Sequence, residues 1–438
     1  MTKLKTVRHE LEKEIAEQGY NLSSFSRISG VNRGVLSATL NSAPPKPISV
    51  NQLDQMTAAL GRPEGWLYEL FIEECFSADE KINWRRIRPL IIRCVELQRN
   101  DYLERTLYLL LEAPSYTDEL FQLAESLRQT KEPLVMMLYK YIIKYERSAH
   151  SERMAISHYR LFIDIVGSDA ENSYVYALKL HDFIEYLPLP LQLEAYHRCA
   201  NSYYWVEHWD KMEYCADRLI EMTQRIYQEY TEIKNPPAML SIGTERSFVV
   251  YYGQALLIKG TFYEYTGNYV KALEYAHKYY DLSYLKGLDT EGQQEVQKLR
   301  IFAEGNIYGM NLHLGHFEVL EQYVNYLENH TSEIIPGLLV ILTVANKYEF
   351  NIDNVLDQFA SDIDSLLQPN EHYREFALNA YYTNTIYQLA LYQAKHNKPN
   401  QQLKYTLSHF ETSLNKCNMK RTMDITSLLQ EFIRSSLE

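Results

Sequence analysis

The stretch 256-LLIKGTFYEYTGNYVKALEYAHKYYDL-282 carries two helical periodicities separated by a short polar break. Gly260 leaves a side-chain-free position where a second helix can approach closely, and Tyr263 follows three residues later on the same face. Gly267-Asn268-Tyr269 supplies the turn, and Ala272 is the small residue at which the second helix nests against the first. The spacing predicts a helix pair with a tight connection.

Weaker copies lie on both sides. In CANSYYWVEHWDKMEYCADRL, Ala200 answers to Gly260, Tyr203 to Tyr263, Trp209 to Tyr269 and Met212 to Ala272. MNLHLGHFEVLEQYVNYL places a Gly315-His316-Phe317 turn before Leu320 in the Ala272 slot. RNDYLERTLYLLLEA, HSERMAISHYRLF and NKPNQQLKYTLSHF read as second helices of further pairs, and Leu187-Pro-Leu-Pro190 and Asn235-Pro-Pro-Ala238 as loops between pairs. No sustained alternation or Asn-Gly hairpin signal follows Asp79. The 16 glycines and 14 prolines in 438 residues are few, as an all-α chain requires. The 37 tyrosines suit half-buried helix seams, with a large ring inside and a polar tip at the edge.

The pattern resembles a degenerate tetratricopeptide array over residues 77–438. At about 34 residues per pair, that length holds about nine or ten pairs. The resemblance implies a right-handed solenoid with a concave inner surface.

The first 76 residues are organised differently. Leu4, Val7, Leu11 and Ile15 define one helix, which Gly19 stops. Asn21 caps a second, with Phe25 and Ile28 expected to face inward and Ser26 small at a helix crossing. Gly30 permits a sharp left-handed turn, Val31 plugs it, and Asn32 caps a third helix held by Val35, Leu36 and Leu40. Ser49 opens a fourth, with Val50, Leu53, Met56 and Leu60 inside, and GWLYELFIEECF supplies a fifth. Small Ser26, Gly30-Val31, the Asn32-Arg33 opening, Leu36 and the run Pro47 to Gly61 resemble the lambda-repressor-like (Xre-type) helix-turn-helix family. That family places its third helix in the DNA major groove. The resemblance makes Asn32, Arg33, Gly34, Ser37 and Ala38 base-facing. Arg27 and Lys46, with Lys3, Lys5 and Arg8, are phosphate contacts in this reading. The family's frequent Gln stands here as Leu22, and no basic residue occupies the vicinity of Ala38. Lys and Arg number seven against four acids through Ser49, so a single module is expected to bind weakly.

An Xre-type module followed by a tetratricopeptide-like array resembles the peptide-pheromone receptors of Gram-positive bacteria, the Rap/Rgg/NprR/PlcR/PrgX group. The resemblance implies a cytoplasmic homodimer that binds a short linear signalling peptide in the concave groove and thereby alters binding to a double-stranded DNA operator. In the repeat register, the groove-facing positions are His197, Asn201, Tyr204, Gln254, Thr261, Tyr265, Asn306, Asn384 and Gln388, with Arg246 and Arg300 as clamps for a peptide carboxylate. Two other readings stand beside it. One is an interaction protein whose array sequesters a protein partner. The other is a constitutive repressor whose array only dimerises.

Several classes are not expected. Formal net charge of −13 argues against broad nucleic-acid coating, though not against a small local DNA-binding face. The N-terminus MTKLKTVRHELEKE lacks the apolar core of a signal peptide, and the run Gly337 to Val344 is far short of a membrane span. Cys75, Cys94, Cys199, Cys215 and Cys417 are scattered, as buried free thiols would be. His9-Glu10 lacks the second histidine of a metalloprotease helix, and no nucleophile elbow or phosphate loop occurs. His313 and His316 read as turn histidines. Neither an enzyme nor a cofactor or metal site is expected.

Overall fold

The computed structural model describes residues 5–76, 82–111, 116–129, 132–146, 148, 151–167, 170–237, 240–367, 376–396, 404 and 406. Every regular element among them is helical. None of these helices is long and apolar enough to cross a membrane. The chain divides into two compact units, Met1–Leu161 and Phe162–Glu438. The position after residue 76, expected from sequence as the domain boundary, lies inside the first unit.

The first unit begins with α1 (Val7–Glu17), α2 (Leu22–Ser29), α3 (Arg33–Leu40), α4 (Val50–Ala59) and α5 (Tyr68–Cys75). Val7, Leu11, Phe25, Leu36, Leu53, Phe71 and Ile72 are fully buried among them. Full burial of a side chain of this size stabilises by roughly 1.5–3 kcal/mol. The helix starts follow from local hydrogen bonding. The Asn21 side-chain Oδ1 accepts from the Ser23 and Ser24 N–H groups. Ser49 and Gln52 form a reciprocal capping box at α4. Gly61, at φ +63°, terminates α4. One core expectation fails: Ile28 is 47% exposed, and Ser29 is buried in its place. The short α2 turns its inner face through Phe25 and Ser29, four residues apart, which carries Ile28 outward. The fifth helix also starts later than its apolar run suggests, because Gly65, at φ +77°, keeps the preceding residues in a turn.

The next helices of this unit are α6 (Trp84–Glu96), α7 (Asn100–Leu111), α8 (Thr117–Leu127) and α9 (Glu132–Tyr145); α10 (Glu152–Ile165) carries the unit boundary. Three arginines of α6 and α7 grip the five-helix module. Arg86 donates to the Ile48 carbonyl at 3.0 Å and lies over the Phe71 ring at 4.6 Å. Arg93 pairs with Asp54 at 2.8 Å and Glu64 at 3.0 Å, and Asp54 also accepts from the Tyr68 hydroxyl at 2.8 Å. Arg105 bridges Glu69 and Glu73 at 2.7 and 3.2 Å.

The second unit comprises α11 (Ala170–His181), α12 (Leu189–Trp205), α13 (Trp209–Glu232), α14 (Phe248–Tyr265), α15 (Tyr269–Tyr280), α16 (Thr290–His313), α17 (Leu320–Asn329), α18 (Ile334–Tyr348), α19 (Asp353–Gln358), α20 (Ala360–Leu367) and α21 (Phe376–Lys395). Each helix from α11 to α17 packs on the next. Alternate helices α12, α14, α16 and α18 also pack side by side, forming one layer. α14 is therefore enclosed by neighbours, which explains why it buries residues all round, from Phe248 to Gly260. Glycines set the close approaches. A Cβ on Gly260 would lie 3.3 Å from Tyr275 Cβ on α15, and one on Gly253 would lie 2.2 Å from Leu299 on α16. Gly267, at φ +79°, makes the α14–α15 turn, and Asn268 accepts from the Lys271 N–H to start α15.

The series departs from regular pairing at α18, which packs on α21 rather than on the short α19 and α20. The Leu187–Pro190 break is also shorter than expected. α12 already runs from Leu189, because Pro190 occupies its first turn, where no N–H partner is needed. Leu320 is only half-buried in its slot. Cys75, Cys94, Cys199 and Cys215 are buried free thiols. Leu4, Cys417 and nearly all of the segment around residue 405 lie outside the described residues.

Candidate functional site

The α2–α3 connection is fixed by three local features. Gly30 adopts φ +69°, Ser26 Oγ donates to the Val31 carbonyl at 2.8 Å, and the Asn32 side chain accepts from the Gly34 N–H at 2.8 Å. Asn32 therefore acts as the cap of α3. The first turn of α3 is presented outward: Asn32, Arg33 and Gly34 are exposed, whereas Ser37 and Ala38 are half-buried. Arg27 and Lys46 are exposed nearby in sequence, and the Lys46 N–H donates to the Ala38 carbonyl at 2.9 Å. Arg27, Arg33 and Lys46 have no ion-pair partner among the described residues. Arg33 adds its charge at the positive end of the α3 dipole. Arg8 is engaged instead, with Glu12 at 2.9 Å and the Ser42 carbonyl at 3.1 Å. Lys3 lies outside the described residues.

In the second unit the expected groove residues fall into separate groups. His197 and Arg246 lie beside a residue that sequence reasoning missed, Glu194, and Asn201 reaches His197. This buried carboxylate accepts from the Tyr251 hydroxyl at 2.7 Å, bonds Arg198, and lies 3.9 Å from Arg246. Burial opposes its charge, but Tyr251, Arg198 and Arg246 outweigh burial and hold its carboxyl below the ordinary range. Arg246 is thus already partly neutralised. His197 is 6% exposed, its Nδ1 is buried without a hydrogen-bond partner, and its Nε2 lies 3.5 Å from Asn201. Burial pushes this imidazole down to about 4. The signal for Glu194 was present in sequence: it interrupts the run Leu193, Ala195, Tyr196, all of whose members are buried.

Tyr204 and Tyr265 form a second group. Their hydroxyls lie 2.7 Å apart, and Tyr265 stacks on Trp209 at 5.0 Å. Trp205, also missed, packs edge-on against Tyr204. The remaining candidates are dispersed. Arg300 lies over the Tyr280 ring at 5.0 Å. Asn306 donates to the buried Tyr279 hydroxyl at 2.7 Å, which directs it into the α15–α16 seam. Thr261 donates to the Leu257 carbonyl of its own helix. Gln388 accepts from Asn346 at 2.9 Å. Gln254 and Asn384 are half-buried on α14 and α21. A buried cation was also missed: Lys259 reaches Glu213 at 2.7 Å and Asp217 at 2.6 Å. His313 is buried and stacks on Tyr269 at 4.3 Å, whereas His316 is exposed and lies 3.4 Å from Glu318. Comparison with protein-family models and with curated protein sequences returned no match.

Proposed function

We propose that the chain is a DNA-binding regulator whose lambda-repressor-like helix-turn-helix module is governed by a tetratricopeptide-like helical array that takes a short linear peptide. The protein works in this reading as a cytoplasmic homodimer. The observation that carries it is the α2–α3 corner: Gly30, the Ser26–Val31 bond and the Asn32 cap hold Arg33 and Gly34 outward at the positive end of α3. The layer of α12, α14, α16 and α18 supports the peptide part, because polar and aromatic side chains gather there around Glu194 and Tyr265. A peptide that binds one geometry of the dimer more tightly shifts that population by its differential affinity.

Selection from a randomised duplex library by the full chain tests the DNA part. Enrichment of a defined motif is expected, and Arg33→Ala should relax preference at one base pair by about 1–3 kcal/mol. The exposure of Ile28 on α2 favours a second reading, a docking module that meets protein instead of DNA. A library that yields no motif, together with loss of self-association in Ile28→Asp, would select that reading.

A further inference from the structure

A cleft of about 660 Å³ opens in the first unit between α6 and α8. Arg85 and Arg88 sit one turn apart on α6, and both line it. Their neighbour Arg86 turns to the opposite side, toward Glu74 and Phe71. Arg85 and Arg88 are exposed and have no ion-pair partner among the described residues. Across the cleft, Glu119 holds its Oε2 buried without a hydrogen-bond partner. Asp118 is committed to Arg153 at 3.2 Å. Trp84 and the buried Leu123 supply apolar wall. Cationic side chains of α6 and carboxylates of α8 therefore line one cleft, with no ion pair between them among the described residues. A buried acceptor left without a partner costs about 1–3 kcal/mol.

We propose that this cleft is a peptide-binding place of its own, independent of the α12–α18 layer, and takes the C-terminal end of an extended peptide, with the terminal carboxylate on Arg85 and Arg88 and a backbone N–H on the Gln122 carbonyl oxygen. The choice of ligand rests on the reading of the chain as a peptide receptor; the geometry gives the place and the polarity. Arginine pairs match a carboxylate in a forked arrangement. Asp118, Gln122 and Ser126 follow one another at four-residue intervals along α8, a rise of about 6 Å per step. Groups on one side of an extended peptide recur about every 6.6 Å, so the row keeps step with a peptide backbone. Gln122 can donate and accept at once, as a backbone requires. A polyanion fits poorly, because its charge would meet Asp118 and Glu119. The volume lies in the range of pockets that enclose a small ligand.

The test passes a pool of random pentapeptides with free C-termini, and the same pool amidated, over the full chain and reads the retained fraction by mass spectrometry. The free-terminus pool should be retained at least about tenfold over the amidated pool. That preference should vanish in Arg85→Ala/Arg88→Ala and persist in Arg246→Ala/Arg300→Ala. Both α6 arginines are exposed, so an unchanged circular-dichroism melt will show that the variant is folded. Equal retention of both pools by the unaltered chain, or an unchanged preference in Arg85→Ala/Arg88→Ala, overturns the cleft and leaves the peptide-receptor reading intact. Retention of neither pool overturns both.

Discussion

In the first unit, charged side chains fasten helix to helix: Arg86, Arg93 and Arg105 run from α6 and α7 to backbone and carboxylates of the five-helix module. In the second unit, buried tyrosines carry out the same task. Tyr203 donates to the Ala177 carbonyl, Tyr326 to that of Ile301, and Tyr251 and Tyr392 to the carboxylates of Glu194 and Asp353. A tyrosine seam combines ring burial with one satisfied hydroxyl and is little affected by salt. An arginine latch is partly exposed, gains less, and is screened by ions. The five-helix module is therefore joined to α6 and α7 by contacts that ions can weaken, whereas the helices of the second unit are joined by contacts that they cannot. Raising salt should increase amide exchange in α5 and α6 well before it does so in α12 and α14; equal sensitivity would erase the distinction.

The largest expected effect is on the tyrosine side. Tyr203→Ala should cost about 3–5 kcal/mol in chemical denaturation, and Tyr203→Phe about 1 kcal/mol, because the ring stays and only the hydroxyl's contacts with the Ala177 carbonyl and His181 Nδ1 are lost. Equal costs for the two would mean that the ring does not hold the seam.

A pH effect comes next. His197 and His313 are both pushed by burial from 6.5 down to about 4. Unfolded imidazoles take a proton as pH falls below 6.5, whereas the folded ones stay neutral until about 4. The unfolded state therefore binds more protons across that window, and stability must fall as pH falls through it. Each histidine contributes at most about 3 kcal/mol to the loss. His197→Gln/His313→Gln should flatten the profile between those values, and an unaltered slope would contradict the assignment.

Smaller effects test the latch and the corner. Arg93→Ala should cost about 1–2 kcal/mol, since it strips partly buried Asp54 of its cation in a solvent-screened setting. Its cost should shrink in high salt, and a cost independent of salt would place the energy in packing. Gly30→Ala should cost about 1 kcal/mol, because an L side chain is strained at φ +69°. A neutral result in denaturant melts would show that the corner relaxes freely.

Sequence reasoning reached the features that local chemistry determines. The caps at Asn21, Asn32 and Ser49, the turns at Gly30 and Gly267, and the close approach at Gly260 each depend on residues within a few positions. It failed where partners come from far along the chain. Asn306 belongs to Tyr279, Arg300 to Tyr280 and Arg246 to Glu194, and nothing in a helical register reveals such pairings. Ile28 was misplaced because a helix of eight residues has too few turns for its period to define an inner face. The α18–α21 pairing was hidden for the same reason as the α6–α8 cleft: both join segments whose intervening sequence carries its own helices.

We propose that weak single modules, held as a pair, read DNA together. The direct measurement is the affinity of the full chain for duplexes carrying one half-site, or two at spacings stepped by five base pairs. The account predicts binding at least about a hundredfold tighter to two half-sites a whole number of helical turns apart, with a marked loss at each half-turn offset. A single half-site bound as tightly as the pair, at every spacing, would contradict it.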